Sequence, residues 1–286
     1  MLTREQKVEL LKTSVASENN RQAHAGSWAT MVEEQLPVLS TVRKIFTVDQ
    51  IEPGTAPTYQ LDLPYISAWL MPRMGAVPTN LVQLEEVTIN TYEMVGDVEY
   101  KIRDAEQGRL NVIERAQQRL TDSIVQLEET DGWTVLEAAV TTGNTVSVSG
   151  ESGLTKPVIN AGFQKMESRR DYKVTEIFVS SNRYANIRDW TSTTLDPVTQ
   201  REIYVDAGLN SIWKANINVA YNLTDDEVYF VDARPNLLGF MPIRGSLRTY
   251  DDPTTIKKLR VGIIAHQEVG FGVMDANRII KATISD

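Results

Sequence analysis

The clearest pattern lies between positions 96 and 129. Val98, Tyr100 and Ile102 alternate with Asp97, Glu99 and Lys101, the period-two signature of a half-buried strand. Leu110, Ile113, Leu120, Ile124 and Leu127 then recur at helical spacing, and only Gln117 breaks the stripe. Arg103, Arg109, Glu114, Arg115, Arg119 and Glu128 fill the opposite face. Asp104, with Gln107 three positions on, reads as the cap of this helix. The pattern predicts a helix of roughly 25 residues, or ~38 Å, ending near Glu129. Asp131-Gly132 interrupts it, and a shorter helix over 134–140 closes at Gly143.

Upstream, residues 1–50 read as polar helices. Thr3 and Gln6 form a capping box, and Val8, Leu11 and Val15 give a thin apolar stripe that Asn19-Asn20 breaks. A second helix starts near Ser27 and carries Trp28, Met31, Val32 and Leu36, with Pro37 interrupting or bending it. Such narrow stripes suit an arm packed on something else rather than an independent domain. Residues 51–78 contain Pro53, Gly54, Pro57, Pro64, Pro72, Gly75 and Pro78, which excludes a helix. Residues 59–63 alternate like a strand, and extended character returns at 87–92. This predicts a long two-stranded excursion with a loop near 72–80. Such a ribbon is marginal alone in water, so its Trp69, Leu70, Met71 and Met74 require a partner surface.

Downstream, residues 144–153 are small and polar and read as a linker or loose hairpin. Thr155 opens a helix through about Arg170, followed by a buried strand at 176–179 and a short helix at 182–190. Strand-like runs recur at 202–205, 212–220, 227–231 and 237–243, and the segments 259–265, 269–273 and 278–284 are β-rich. Helices and strands mix without regular alternation, so the class is α+β rather than doubly wound.

Composition narrows the function. Lys and Arg number 29 against 38 Asp and Glu, a net charge of −9, which argues against gripping nucleic acid by phosphate neutralisation. There is no Cys, so disulfides, thiolate metal sites and cysteine nucleophiles are all excluded. His24 and His266 are far apart in sequence and do not make a metal site alone. No apolar run reaches the ~18 residues needed to span a membrane, and no signal peptide opens the chain, so a soluble cytosolic protein is expected. Gly150-Glu151-Ser152-Gly153 has the wrong spacing for a nucleophile elbow and reads as a turn. Gly270-Phe271-Gly272 reads as a bend, and His266 beside Glu268 as a structural histidine. The acidic pairs Glu85-Glu86, Asp225-Asp226 and Asp251-Asp252 lack the geometry of a glycosidase or a calcium loop. Arg169-Arg170 and Lys257-Lys258 read as solvated charge. No catalytic residue, metal ligand or cofactor site emerges, which shifts weight toward a structural or assembly role.

The order of elements resembles the major capsid proteins of tailed bacteriophages, with the fold named after phage Hong Kong 97. Residues 86–104 resemble that family's passage from its extended E-loop into a spine helix. Residues 177–184 resemble a strand turning into a short helix in the axial (A) domain, and residues 269–280 resemble the closing segment. The resemblance implies an N-terminal arm (1–50), an E-loop (51–96), a peripheral (P) domain with the spine helix (97–143), an A domain (144–255) and a return to the P domain (256–286). It further implies hexamers and pentamers of an icosahedral head enclosing double-stranded DNA without sequence-specific binding. E-loops would lie over neighbouring subunits, with Trp69, Met71, Arg73 and Met74 as the inter-subunit contacts, because aromatic, Met and Arg side chains suit interface cores. Scaffolding, portal and possibly cement proteins are the further partners implied, with no membrane and no cofactor. One departure concerns chemistry: the type member cross-links its shell through an E-loop lysine, and residues 61–100 here contain no Lys. No long scaffolding segment precedes residue 50, so either a separate scaffold exists or the chain is a matured product; Met1 reads as a native start, which favours the scaffold.

Two other readings stand beside this one. An encapsulin, a bacterial compartment of the same fold that encloses an enzyme, would need an interior groove for a cargo peptide. An unrelated soluble α+β enzyme would need a pocket with converging polar groups.

Overall fold

The computed structural model describes residues 4–61, 85–150, 153–169, 171–188, 190 and 211–285. Three helices, α1 (Arg4–Ala16), α2 (Glu18–Leu39) and α3 (Val42–Ile45), lead into β1 (Thr47–Ile51), β2 (Thr58–Leu61) and β3 (Glu85–Thr88). The strand β4 (Tyr92–Lys101) is followed by α4 (Ile102–Glu106) and α5 (Leu110–Ala139). Then come β5 (Thr145–Ser149), α6 (Lys156–Glu167), β6 (Glu176–Val179), α7 (Ser181–Arg188), β7 (Ser211–Ile212), β8 (Ala215–Val219) and β9 (Glu227–Val231). The long strands β10 (Gly239–Asp252) and β11 (Arg260–Val269) precede β12 (Gly272–Val273) and β13 (Ile279–Ser285).

Two sheets organise the described residues. The first runs β1-β10-β11-β4, with β12 beside β10. Its β1 is parallel to β10, and its remaining pairs are antiparallel. The second runs β5-β13-β9-β6-β8-β7, and β2 pairs with β3 as a separate two-stranded ribbon. The alternation read at 97–102 sets the face of β4: Met94 and Tyr100 are buried, whereas Glu93, Val95 and Asp97 are exposed. Gly96 sits on the inner face, where a Cβ would lie 3.0 Å from Leu120 and 3.3 Å from Ile124 of α5.

The spine helix joins both sheets. Ile113, Ala116, Leu120 and Ile124 bury one stripe of α5 in the first core. Near its C-terminal end, Trp133 meets Phe178 of β6 at 5.3 Å and Tyr229 of β9 at 5.4 Å, both edge-on. Alternation along β9 divides the cores: Tyr229 and Val231 join the cluster with α5, while Val228 and Phe230 join the cluster with α6.

Several local expectations change. The helix at 110–139 is continuous for 30 residues, and Asp131-Gly132 does not interrupt it. Gly132 lies inside because Val42 of α3 packs onto the bare backbone, where a Cβ would come within 2.4 Å of a Val42 methyl. The break falls earlier, at Gly108 (φ +64°), where the left-handed conformation separates α4 from α5. Asp104 therefore lies within α4 rather than capping the spine. The second arm helix begins at Glu18, capped by the Ser17 hydroxyl, so Asn19-Asn20 opens it instead of ending the first; Pro37 lies within it. Residues 145–149 form a strand parallel to β13, not a linker. In the C-terminal half, β10 belongs to the first sheet and β13 to the second. The strands at 176–179 and 227–231 stand where the apolar runs place them.

Candidate inter-subunit surfaces

Both roots of the β2–β3 ribbon are fixed to the first sheet. On one side, the Tyr59 hydroxyl donates to Asp49 of β1 at 2.8 Å, and its ring stacks on Phe240 of β10 with centroids 4.2 Å apart. Burial and the Asp49 carboxylate raise the Tyr59 pKa, so the phenol stays a donor. On the other side, Ile89 is buried beneath the 270–272 turn. A Cβ on Gly270 would lie 2.7 Å from the Asn90 carbonyl oxygen, and one on Gly272 would lie 2.5 Å from Ile89. The Gly-Phe-Gly bend is therefore the seat of the ribbon's returning strand.

A cross-strand ion pair ties the two roots together. Arg244 on β10 and Glu268 on β11 stand opposite each other and pair at 2.5 Å. Arg244 also donates to the Thr55 carbonyl at 3.1 Å, and the Thr91 hydroxyl donates to Glu268. Sequence reasoning missed this pair, because it connects positions 24 apart through a bulged hairpin register. Among the described residues of the ribbon, Thr58, Gln60, Glu86, Val87 and Thr88 are exposed. The four residues singled out for neighbour contact, Trp69, Met71, Arg73 and Met74, lie outside the described residues, as does the strand-like run at 202–205.

The arm is docked on its own chain. Arg21 pairs with Asp251 at 3.0 Å, and the Thr249 hydroxyl donates to the Ala25 carbonyl. Trp28 stacks on Tyr100 with centroids 6.3 Å apart. At the end of α2, the buried Glu128 of the spine accepts from Arg43 Nε and Nη2 and from the Ser40 hydroxyl. The adjacent Glu129 accepts from the backbone N–H groups of Thr41 and Val42 and from the Trp133 indole. That carboxylate supplies the start of α3 with the acceptor its own side chains lack. The Asp251-Asp252 pair belongs to the end of β10.

The second sheet carries one buried charge cluster. Asp232 is fully buried and accepts from Arg234 at 2.7 and 2.6 Å and from Arg278 at 2.5 Å. Burial pushes the Asp232 carboxyl up, but hydrogen bonding and charge from Arg234, the Arg278 charge and the Lys173 backbone N–H outweigh it, so the net shift is downward. Arg169, read as solvated charge, instead donates to Asn144 and Asn277. Asp225 accepts from the Ser180 hydroxyl and from Asn182 at the start of α7. Large apolar side chains remain exposed at Tyr221 (87%), Val38 (76%) and Leu259 (73%).

Among the described residues, no three His, Asp or Glu side chains are grouped to hold a metal ion, and no helix is long and apolar enough to cross a membrane.

A family model described as phage capsid protein matches residues 85–282, from β3 through the spine helix to β13. Solved structures share the fold at low identity. The capsid of an empty GTA particle aligns with a TM-score of 0.60 at 14% identity, covering 87% of this chain and 90% of that one. A chain of Gordonia phage Cozz gives 0.62 at 11%, covering 89% and 87%. The capsid structure of cyanophage P-SCSP1u gives 0.62 at 12%, covering 86% and 88%. Among curated protein sequences, none matches. The fold is α+β and of the Hong Kong 97 phage capsid type, its matched region includes the spine helix and strands of both sheets, and the chain belongs to the phage capsid protein family.

Proposed function

We propose that this chain is the major shell subunit of a tailed-phage head, assembling into hexamers and pentamers that close an icosahedral capsid around double-stranded DNA. Its role is structural, and its place is the virion, after assembly in the bacterial cytoplasm. The sheet packed on the spine helix serves as the P domain and the six-stranded sheet as the A domain. The observation that carries this reading is the β2–β3 ribbon. Tyr59 and Ile89 clamp it firmly at its roots, yet it pairs with no third strand among the described residues. A two-stranded ribbon gains independent stability only from a further surface. A neighbouring subunit supplies that surface, and Trp69, Met71, Arg73 and Met74 make the contact.

Scaffolding, portal and cement proteins complete the assembly. The net charge of −9 suits a shell that encloses DNA without gripping it. Deleting residues 64–80 tests the ribbon directly. A subunit that folds but no longer assembles supports the reading, whereas loss of folding contradicts it.

A further inference from the structure

Where α2 meets the first sheet, Trp28, Val32 and Leu36 are buried in the core, and the N-terminal half of the joint adds polar contacts. Arg21 pairs with Asp251, Gln22 accepts from the Asp251 backbone N–H at 3.1 Å, and Ala25 accepts from Thr249. Seven buried side-chain polar atoms lack a hydrogen-bond partner among the described residues, and three belong to this one seam: His24 Nε2, Tyr100 Oη and Asp251 Oδ1. The His24 ring stands edge-on to Trp28 at 5.7 Å, and Trp28 lies flat against Tyr100.

We propose that the α1–α2 arm is an acid-released strap, docked on β10 at neutral pH and let go when His24 takes up a proton. A protonated imidazole has a charge and two N–H donors to satisfy. Nε2 makes no hydrogen bond in the docked arm, and the ring's neighbour is an indole. Undocking returns the group to water and removes that cost. Burial lowers the His24 pKa below its ordinary 6.5, which agrees with the geometry. The undocked arm therefore binds the proton more readily. Docking is at full strength above about pH 6.5 and weakens as pH falls from there toward the docked-state pKa.

Among the described side chains, α2 also carries Glu18, Glu33 and Glu34, and β10 carries Asp252. Arg21 and Asp251 neutralise each other, and burial followed by the Asp251 charge raises the Tyr100 pKa. Glu9 and Lys12 on α1, Arg248 on β10 and Arg109, Glu114 and Arg115 beside α5 are exposed. The second histidine, His266, pairs with Glu93 at 3.5 Å and lies on the outer face of the sheet.

The test is amide hydrogen exchange of the unassembled full chain at about pH 7.5 and pH 5.5, corrected for intrinsic rates. It is independent of whether the chain forms shells. Protection over residues 25–36 is expected to fall by up to about tenfold in the wild type, to stay high in His24→Phe, and to fall as before in His266→Gln. His24→Gln replaces the Phe variant should the latter fail to fold. Equal protection at both pH values overturns the proposal. So does an unchanged fall in the His24 variants, or its loss in Asp251→Asn, which would make the carboxylate the titrating group.

Discussion

Arg43 and Glu128 meet across 85 positions of chain, with Nε 2.8 Å from one carboxylate oxygen and the outer guanidinium nitrogen 2.8 Å from the other. The Glu128 side chain is fully buried and that of Arg43 is 8% exposed. This fork fixes the turn between α2 and α3 to the spine helix, at the far end of α2 from His24. Removing one partner strands a buried charge, which costs about 3–5 kcal/mol. Glu128→Ala should therefore lower stability by that amount in denaturant unfolding. Replacing both residues together, Arg43→Met with Glu128→Leu, should recover most of the loss. A single-variant cost below about 1 kcal/mol would show that the fork contributes little.

Gly132 makes a second contact between arm and spine. In an exposed helix interior, Gly→Ala gains about 1 kcal/mol. Here the new methyl would sit 2.4 and 2.8 Å from the two Val42 methyls, and overpacking costs about 1–3 kcal/mol. Gly132→Ala should be net destabilising, and adding Val42→Ala should relieve it. A thermal scan in which Gly132→Ala alone raises the melting temperature would contradict the close approach.

Asp232 gives the second sheet an acid limit. Its folded pKa lies below the ordinary 3.8, so its stabilising contribution is present above that value and lost as pH falls through the folded pKa. Stability measured from about pH 5 downward should drop at the low end in the wild type. The curve of Asp232→Asn should start lower and run flatter. An identical pH dependence in the two proteins would remove Asp232 from the acid response.

The ribbon offers no lysine for an isopeptide bond between positions 61 and 100. Shells of this chain should therefore dissolve in hot detergent to a single band of 32.1 kDa. A ladder of covalent multimers would show a cross-link made elsewhere in the chain.

Much of the fold was legible in local pattern. The alternation at 97–102 and the stripe from Leu110 to Leu127 placed β4 and the body of the spine, and the apolar runs placed β6 and β9. The breaker-rich segment marked the ribbon, but its strands pair at 58–61 and 85–88, and the run expected at 87–92 divides between β3 and β4. The failures share a cause. Gly132 looks like a helix stop because glycine is a poor helix former, but the approach of Val42, distant in sequence, decides the matter. Residues 145–149 look like a linker because nothing in them reveals that β13 will lie alongside. The clamps at Glu128, Asp232 and Arg244–Glu268 join residues far apart in the chain or brought opposite by strand register, which no local period encodes.

The central claim is that this subunit builds a closed shell. Electron microscopy of the purified protein, with light scattering on the same sample and with neighbouring phage proteins supplied, tests it most directly. Closed icosahedral particles of phage-head size are the expected result. A monodisperse monomer or dimer that persists with scaffolding protein present would contradict the claim.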